Sequence, residues 1–85
     1  MKFLDYEFNL GSDDAVEVRL NKQANVRMLD EQNFERYRCG QPYDFYGGWA
    51  TVSPVLLRPP YAGQWHVVVD LGGFAGTVSV SAHVV

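Results

Sequence analysis

Two histidines, one aspartate and two serines near the C-terminus are the residues whose types are suited to chemistry. His66 and Asp70 lie in GQWHVVVDL, and Ser79, Ser81 and His83 lie in TVSVSAHVV. Imidazole and carboxylate groups bind metal ions, and serine with histidine and aspartate forms a hydrolytic triad. The spacing disfavours a metal site, because Asp70 is roughly 13 Å from His66 along an extended strand. Neither serine lies in a nucleophile turn. The sequence therefore predicts no catalytic residue and no metal site.

Three further motifs also lack a feature that a functional site would need. The Asp13-Asp14 pair is not followed by the ligand spacing of a calcium loop. The glycine-rich LGGFAG segment at 71–76 lacks the lysine of a phosphate-binding loop and precedes a strand, not a helix. Cys39 lies near a predicted helix C-terminus, where the helix dipole opposes a thiolate. We expect no cofactor and no enzymatic activity.

The aromatic residues are the most unusual feature, at 14% of the chain. A domain of this size cannot enclose all of these rings, so some reach the surface. Exposed rings beside glycines suit a flat ligand, a sugar or a protein partner. The alternative is that they close the open ends of the fold. The candidate ligand- or partner-binding residues are Tyr43, Phe45, Tyr46, Trp49, Tyr61 and Phe74.

Length and charge limit the class of protein. The 85 residues suffice for one domain, spanning 1–85. Seven Lys and Arg residues against ten Asp and Glu give a net charge of −3 with no basic stripe, which disfavours nucleic-acid binding. The single Cys39 fits a reducing compartment. The longest aliphatic run, Val67–Val69, ends at Asp70 and is far too short for a membrane span. We expect a cytoplasmic protein that does not bind membranes.

The first half of the chain alternates apolar and polar residues. This pattern predicts strands at 3–10 and 16–21 and a third strand over Val26–Leu29, joined as an antiparallel meander. One short helical turn follows at 30–38. Asp30 is suited to cap its N-terminus, and Phe34 and Tyr37 are spaced to bury one side.

The second half contains more glycine and proline. Gly47-Gly48 predicts a bulge, a hairpin turn or a loop, and Pro54 separates the predicted strands 49–53 and 55–58. Residues 63–85 alternate on both sides of a glycine-rich turn, which predicts a hairpin. Matching its apolar faces pairs Val78 with Val69 or with Leu71. Either register places His66, Asp70 and His83 on one polar face.

These elements together predict an all-β fold. The expected architecture is a small antiparallel β-sandwich, jelly-roll-like or a partly open barrel, of six to eight strands with one short helical turn near residues 30–38. A small open sandwich leaves unpaired strands at its edges, and few charged residues guard the last one, Thr77–Val85. We therefore expect a homodimer that forms through an edge strand.

Several segments resemble the bacterial domain of unknown function 1883 family over essentially the whole chain. They are ANVRMLD (24–30), NFERY (33–37), YGG (46–48), SPV (53–55) and, most distinctively, GQWHVVVDLGG (63–73). The resemblance implies a small cytosolic β-sandwich with no assigned activity. It also implies Trp65 as a core anchor, and in some members a similar domain precedes a Toll/interleukin-1 receptor-like domain. The chain departs from the family pattern at Phe34 and Phe74, where tyrosine often stands, so no hydroxyl role carries over there.

The function expected from the sequence is that of a non-enzymatic interaction or sensing module. It would act through self-association or through a protein partner, with the Toll/interleukin-1 receptor-like domain as a partner implied by the resemblance. The alternative is a small-molecule binding domain for a sugar or nucleotide-derived ligand, using the aromatic loop Tyr43–Trp49.

Overall fold

The structure is a computed structural model that describes residues 2–85. It contains seven strands and one helix. In chain order these are β1 (Leu4–Leu10), β2 (Val16–Leu20), β3 (Ala24–Asp30), α1 (Glu31–Arg38), β4 (Tyr46–Ala50), β5 (Val55–Leu57), β6 (Gly63–Asp70) and β7 (Val80–Val84).

The strands form two antiparallel sheets. The four-stranded sheet has the order β1-β6-β3-β4, and the three-stranded sheet has the order β5-β2-β7. The prediction of a small antiparallel all-β sandwich with one short helix is confirmed. The two sheets remain separate and do not close into a barrel. Strands β1, β4, β5 and β7 are each paired on one side only, so the predicted edge position of the last strand is confirmed.

The core lies between the two sheets and is built by the alternating residues of each strand. Trp65, Val67 and Val69 of β6 point into it and are buried, as their spacing predicts. The opposite face of β6 is also buried, because α1 packs over that side of the sheet. Six consecutive residues, 65–70, are therefore inaccessible to solvent. A central strand covered on both faces must accommodate its polar residues in a dry environment.

Helix α1 confirms the predicted helical segment and its cap. The Asp30 Oδ1 atom accepts a hydrogen bond from the Asn33 backbone N–H at 2.8 Å. The pKa of Asp30 is lowered, since its hydrogen bonds from Asn33 and Tyr61 outweigh the opposing effect of partial burial. The Tyr61 hydroxyl donates to Asp30 Oδ2 at 2.8 Å and so ties the start of the helix to the segment before β6. The helix is thereby fixed above the four-stranded sheet.

Two predicted strand pairings are wrong. Strands β1, β2 and β3 do not form a meander, because the connections 11–15 and 21–23 each carry the chain from one sheet to the other. Residues 63–85 do not form a hairpin either: β6 pairs with β1 and β3, whereas β7 pairs with β2. Alternation identifies a strand and its buried face but not its neighbour.

The two glycines at 47 and 48 lie within β4, where a bulge, turn or loop was predicted. Pairing with β3 continues through them without interruption, from Met28 opposite Tyr46 to Ala24 opposite Ala50. Gly47 adopts φ +112°, and a side chain there would overlap the Val26 carbonyl oxygen. Glycine is thus needed because β3 and β4 approach closely, not because the chain turns.

Candidate functional site

Strand β6 carries two buried polar residues beneath α1. His66 and Asp70 are each 2% exposed and share the face of the four-stranded sheet that the helix covers. This part of the predicted polar face is confirmed. Buried groups of this kind need partners, and those partners decide what chemistry they could perform.

Asp70 is surrounded by four donors from three parts of the chain: β3, α1 and the turn after β6. The Asn25 amide and the Gly72 backbone N–H donate to Oδ1 at 2.9 and 2.8 Å. The Arg27 guanidinium and the Tyr37 hydroxyl donate to Oδ2 at 2.7 and 2.8 Å. Burial opposes the charge, but these hydrogen bonds and Arg27 outweigh it and lower the pKa of Asp70. The carboxylate is ionised and fully used, so it holds the fold together and is not free to act on a substrate.

Tyr37 is fixed in its protonated form by the same network. Burial, together with the hydrogen bond to Asp70, raises the pKa of the Tyr37 hydroxyl far above its usual value. The hydroxyl therefore acts as a donor from the helix to the sheet. Ring contacts extend this packing, since Phe3 and Tyr43 lie edge-on to Tyr37 with centroids 5.2 and 5.1 Å away.

His66 has a carboxylate at each ring nitrogen. Its Nδ1 lies 2.8 Å from Asp5 Oδ1 on β1, and its Nε2 contacts Glu31 in the first turn of α1. The ring stacks on Phe34 with centroids 3.9 Å apart and planes 2° from parallel. Burial lowers the pKa of His66, but the hydrogen bonds to Glu31 and Asp5 outweigh that effect and raise it. The imidazole thus links three elements, β1, β6 and α1.

His83 does not join this face, so that part of the prediction is wrong. It lies on β7 in the other sheet, exposed, with Nε2 3.7 Å from Glu17. Ser81 is on the same strand, and the Ser79 backbone N–H donates to the Asn21 side chain. The five residues first considered for metal binding or nucleophilic chemistry are therefore divided between two sheets.

The six candidate aromatic residues fall into three groups. Tyr43 packs on Tyr37 and Phe45 packs on Tyr43, and the Arg27 guanidinium lies 5.2 Å from the Phe45 ring centroid. This first group contributes to the cover over Asp70.

The other two groups lie at the edge of the sheet and near its end. Tyr46 and Tyr61 flank the buried Trp65, whose indole N–H donates to the Tyr61 carbonyl at 3.0 Å. Trp49 and Phe74 form a tilted pair with centroids 6.3 Å apart. The structure thus does not bring the six residues into one site.

Two concave regions lie near some of these rings. A groove of about 450 Å³ runs along β4 and is lined by Gly47–Val52, Pro54 and Val55 together with Val26. A larger cavity of about 890 Å³ lies where β1 begins and β6 ends, and Phe74 is the one candidate residue that lines it. Of the rings in the predicted loop Tyr43–Trp49, only Trp49 lines either region.

The acidic residues that meet His66 are not predicted by the sequence. Asp5 and Glu7 alternate on the polar face of β1, and Glu31 begins α1. Their alternation was visible in the sequence, but the pairing of Glu7 opposite His66 joins residues 59 positions apart and has no local signal.

Comparison with known proteins gives one match. The model of a family described as a domain of unknown function, DUF1883, matches residues 1–85. The chain belongs to this family. No curated protein and no solved structure matches the chain. Within residues 2–85, the DUF1883 domain has no helix with the length and apolar character needed to cross a membrane.

Proposed function

We propose that this DUF1883 domain is a non-enzymatic interaction module that binds an extended segment of a partner protein along the free edge of β4. The observation that supports it is the exposure of two aromatic side chains on this uncharged edge. Tyr46 is 50% exposed and Trp49 is 46% exposed. Large aromatic residues that are solvent-accessible and adjacent to an open strand are typical anchors for a bound peptide.

The other edge of the same sheet is protected against such pairing. Strand β1 carries Asp5 and Glu7, and charged side chains on an edge discourage the addition of another strand. Strand β5 in the second sheet has only three residues, lying between Pro54 and Pro59. Proline cannot donate a backbone hydrogen bond, so this short edge is also a poor template. Strand β4, with the sequence YGGWA, has neither form of protection.

The surface beside β4 is concave. The groove of about 450 Å³ is lined by Gly47–Ala50 of β4 and continues past the end of this strand to Val55, the first residue of β5. At Gly48 no heavy atom lies within 4 Å of the position that a Cβ would take, so the face of the sheet is open above this residue. An extended segment would hydrogen-bond to the free edge and place apolar side chains against Tyr46 and Trp49.

A random-peptide display selection on the folded domain tests this proposal. We expect selected peptides to shift the amide resonances of Tyr46–Ala50 and to bind at least about tenfold more weakly to Trp49→Ser. Leu56→Ser is the matched control, because Leu56 is equally exposed but lies on the protected strand β5. Equal binding to both variants, or shifts confined to another edge, would contradict the proposal.

Self-association through β7 is a second candidate, supported by the length of its free edge. Pairing with the β2 side extends beyond the strand itself, from the Asn21–Ser79 backbone bond at 3.3 Å to the Val85–Ala15 bond at 2.9 Å. The segment Ser79–Val85, whose other edge is free, contains no proline or acidic residue. Light scattering after size-exclusion chromatography should show a dimer that Ser81→Lys disrupts and Thr51→Lys does not. A monomer at every concentration would contradict it.

A further inference from the structure

The surroundings of His66 contain more negative charge than one imidazole can balance. Asp5 lies at Nδ1 and Glu31 at Nε2, and Glu7 sits opposite His66 on the neighbouring strand. Within residues 2–85, none of these three carboxylates forms an ion pair with lysine or arginine. Even a protonated His66 leaves two negative charges in excess. Carboxylates that converge in this way repel one another unless a cation lies between them.

We propose that Asp5, Glu7 and His66 form a binding site for a divalent transition-metal ion, for which Zn²⁺ is the probe, since imidazole and carboxylate are among its usual ligands. One potential ligand atom from each residue lies within 4.8 Å of the other two. Ligands of one zinc ion lie about 3–4 Å apart, because each is about 2.0–2.2 Å from the metal. Asp5 and Glu7 lie on the edge strand β1, and we expect rotation of their side chains to bring the ligand atoms within that distance when an ion binds.

The orientation of the imidazole fits this role. In the tautomer that carries its proton on Nε2, this N–H donates a hydrogen bond to Glu31, and the Nδ1 lone pair on the side of Asp5 is available to bind a metal ion. Metal-binding histidines commonly donate their other ring N–H to a carboxylate, which fixes the ring and makes the ligating nitrogen more basic. Stacking on Phe34 also fixes the orientation of the imidazole plane. Any proton shared between Nδ1 and Asp5 leaves for solvent when the metal binds.

Glu7 is also positioned by its surroundings. Its Oε2 accepts a hydrogen bond from the Gln64 amide at 3.1 Å, which leaves Oε1 available. The Asp5 side chain is one-quarter exposed, so an ion reaches the site from solvent on the β1 side. Three protein ligands leave further coordination positions for water. Mixed imidazole and carboxylate ligands bind Zn²⁺ more tightly than Mn²⁺ or Fe²⁺.

An imidazolium held between Asp5 and Glu31 is the competing explanation, and it gives no role to Glu7. The decisive variant is therefore Glu7→Gln, which keeps both contacts of His66 and so preserves the fold. The matched control is Glu17→Gln, which alters the carboxylate beside the other histidine, His83. Zn²⁺ binding is measured by isothermal titration calorimetry, and the imidazole resonances of both histidines are followed by NMR during the titration.

We expect one equivalent of Zn²⁺ to bind the unmodified chain and to shift the His66 resonances before those of His83. Glu7→Gln should weaken binding at least about tenfold, and Glu17→Gln should leave it unchanged. The proposal is overturned if Zn²⁺ does not bind, if Glu7→Gln binds as tightly as the unmodified chain, or if His83 shifts first. His66→Gln adds a further check where circular dichroism shows that it folds.

Discussion

The two buried polar residues of β6 have opposite surroundings although they lie only four positions apart. Asp70 is one carboxylate met by four donors, including the Arg27 guanidinium, so its charge and its lone pairs are all used. His66 is one imidazole met by carboxylates from two other elements, with a third opposite it. The first arrangement is complete, whereas the second has excess charge.

This difference separates a structural network from a candidate binding site on one strand. A buried charge whose partners satisfy it stabilises a particular packing of helix on sheet and offers nothing to a ligand. A cluster with unbalanced charge that is partly open to solvent is able to take up a cation. Burial alone does not distinguish the two, because both residues are 2% exposed.

The largest effect is expected at Asp70. Replacing it in Asp70→Asn removes the negative charge and leaves the Arg27 guanidinium in a poorly solvated position without a counter-charge. Breaking one side of a buried ion pair typically costs about 3–5 kcal/mol, so the free energy of unfolding should fall by that amount. Urea denaturation measures it, with Asp13→Asn in an exposed turn as the control. A loss below about 1 kcal/mol would show that the network does not hold the helix on the sheet.

Acid pH should remove the contribution that Asp70 makes to the free energy of unfolding. Because the pKa of Asp70 is lower in the folded protein than in the unfolded chain, its contribution to stability is present above the unfolded value near ~3.9. That contribution is lost as the pH falls through the lower folded pKa. Stability curves of the unmodified chain and of Asp70→Asn should therefore converge below about pH 4. Curves that stay parallel down to pH 2 would show that folding does not lower the pKa of Asp70.

The sequence predicts the elements of this fold better than their arrangement. Alternation in β6 correctly identified Val67 and Val69 as core residues, and the Asp30 cap correctly placed α1, because both signals are local. The pairing of β6 with β1 joins residues about sixty positions apart. Nothing near His66 in the sequence reveals Asp5 or Glu7, and the alternating pattern instead pairs His66 with His83, which lies in the other sheet.

The aromatic residues illustrate the same limit. Their number predicted that some would be exposed, and Tyr46, Trp49 and Phe74 are. Their division into three groups depends on which strands are neighbours and on the path of α1, which composition does not specify. Gly47 was interpreted as a break in a strand for the same reason. Glycine is required at this position because β3 approaches closely, and this contact between strands has no local signal in the sequence.

The smallest effect on stability is expected from Glu31→Gln, which alters a partner of His66. The Glu31 side chain is 63% exposed, so water screens its interaction with His66, and glutamine keeps an oxygen that can still accept from Nε2. We expect the free energy of unfolding to change by less than about 1 kcal/mol in buffer that contains a chelator, because exposed ion pairs contribute little. The substitution also relieves repulsion among the neighbouring carboxylates, which should raise the free energy of unfolding of the variant by a similarly small amount. Urea denaturation with Asp70→Asn measured in parallel provides the scale. If Glu31→Gln is as destabilising as Asp70→Asn, the His66 cluster is a satisfied structural network like that of Asp70, and the contrast between the two ends of β6 does not hold.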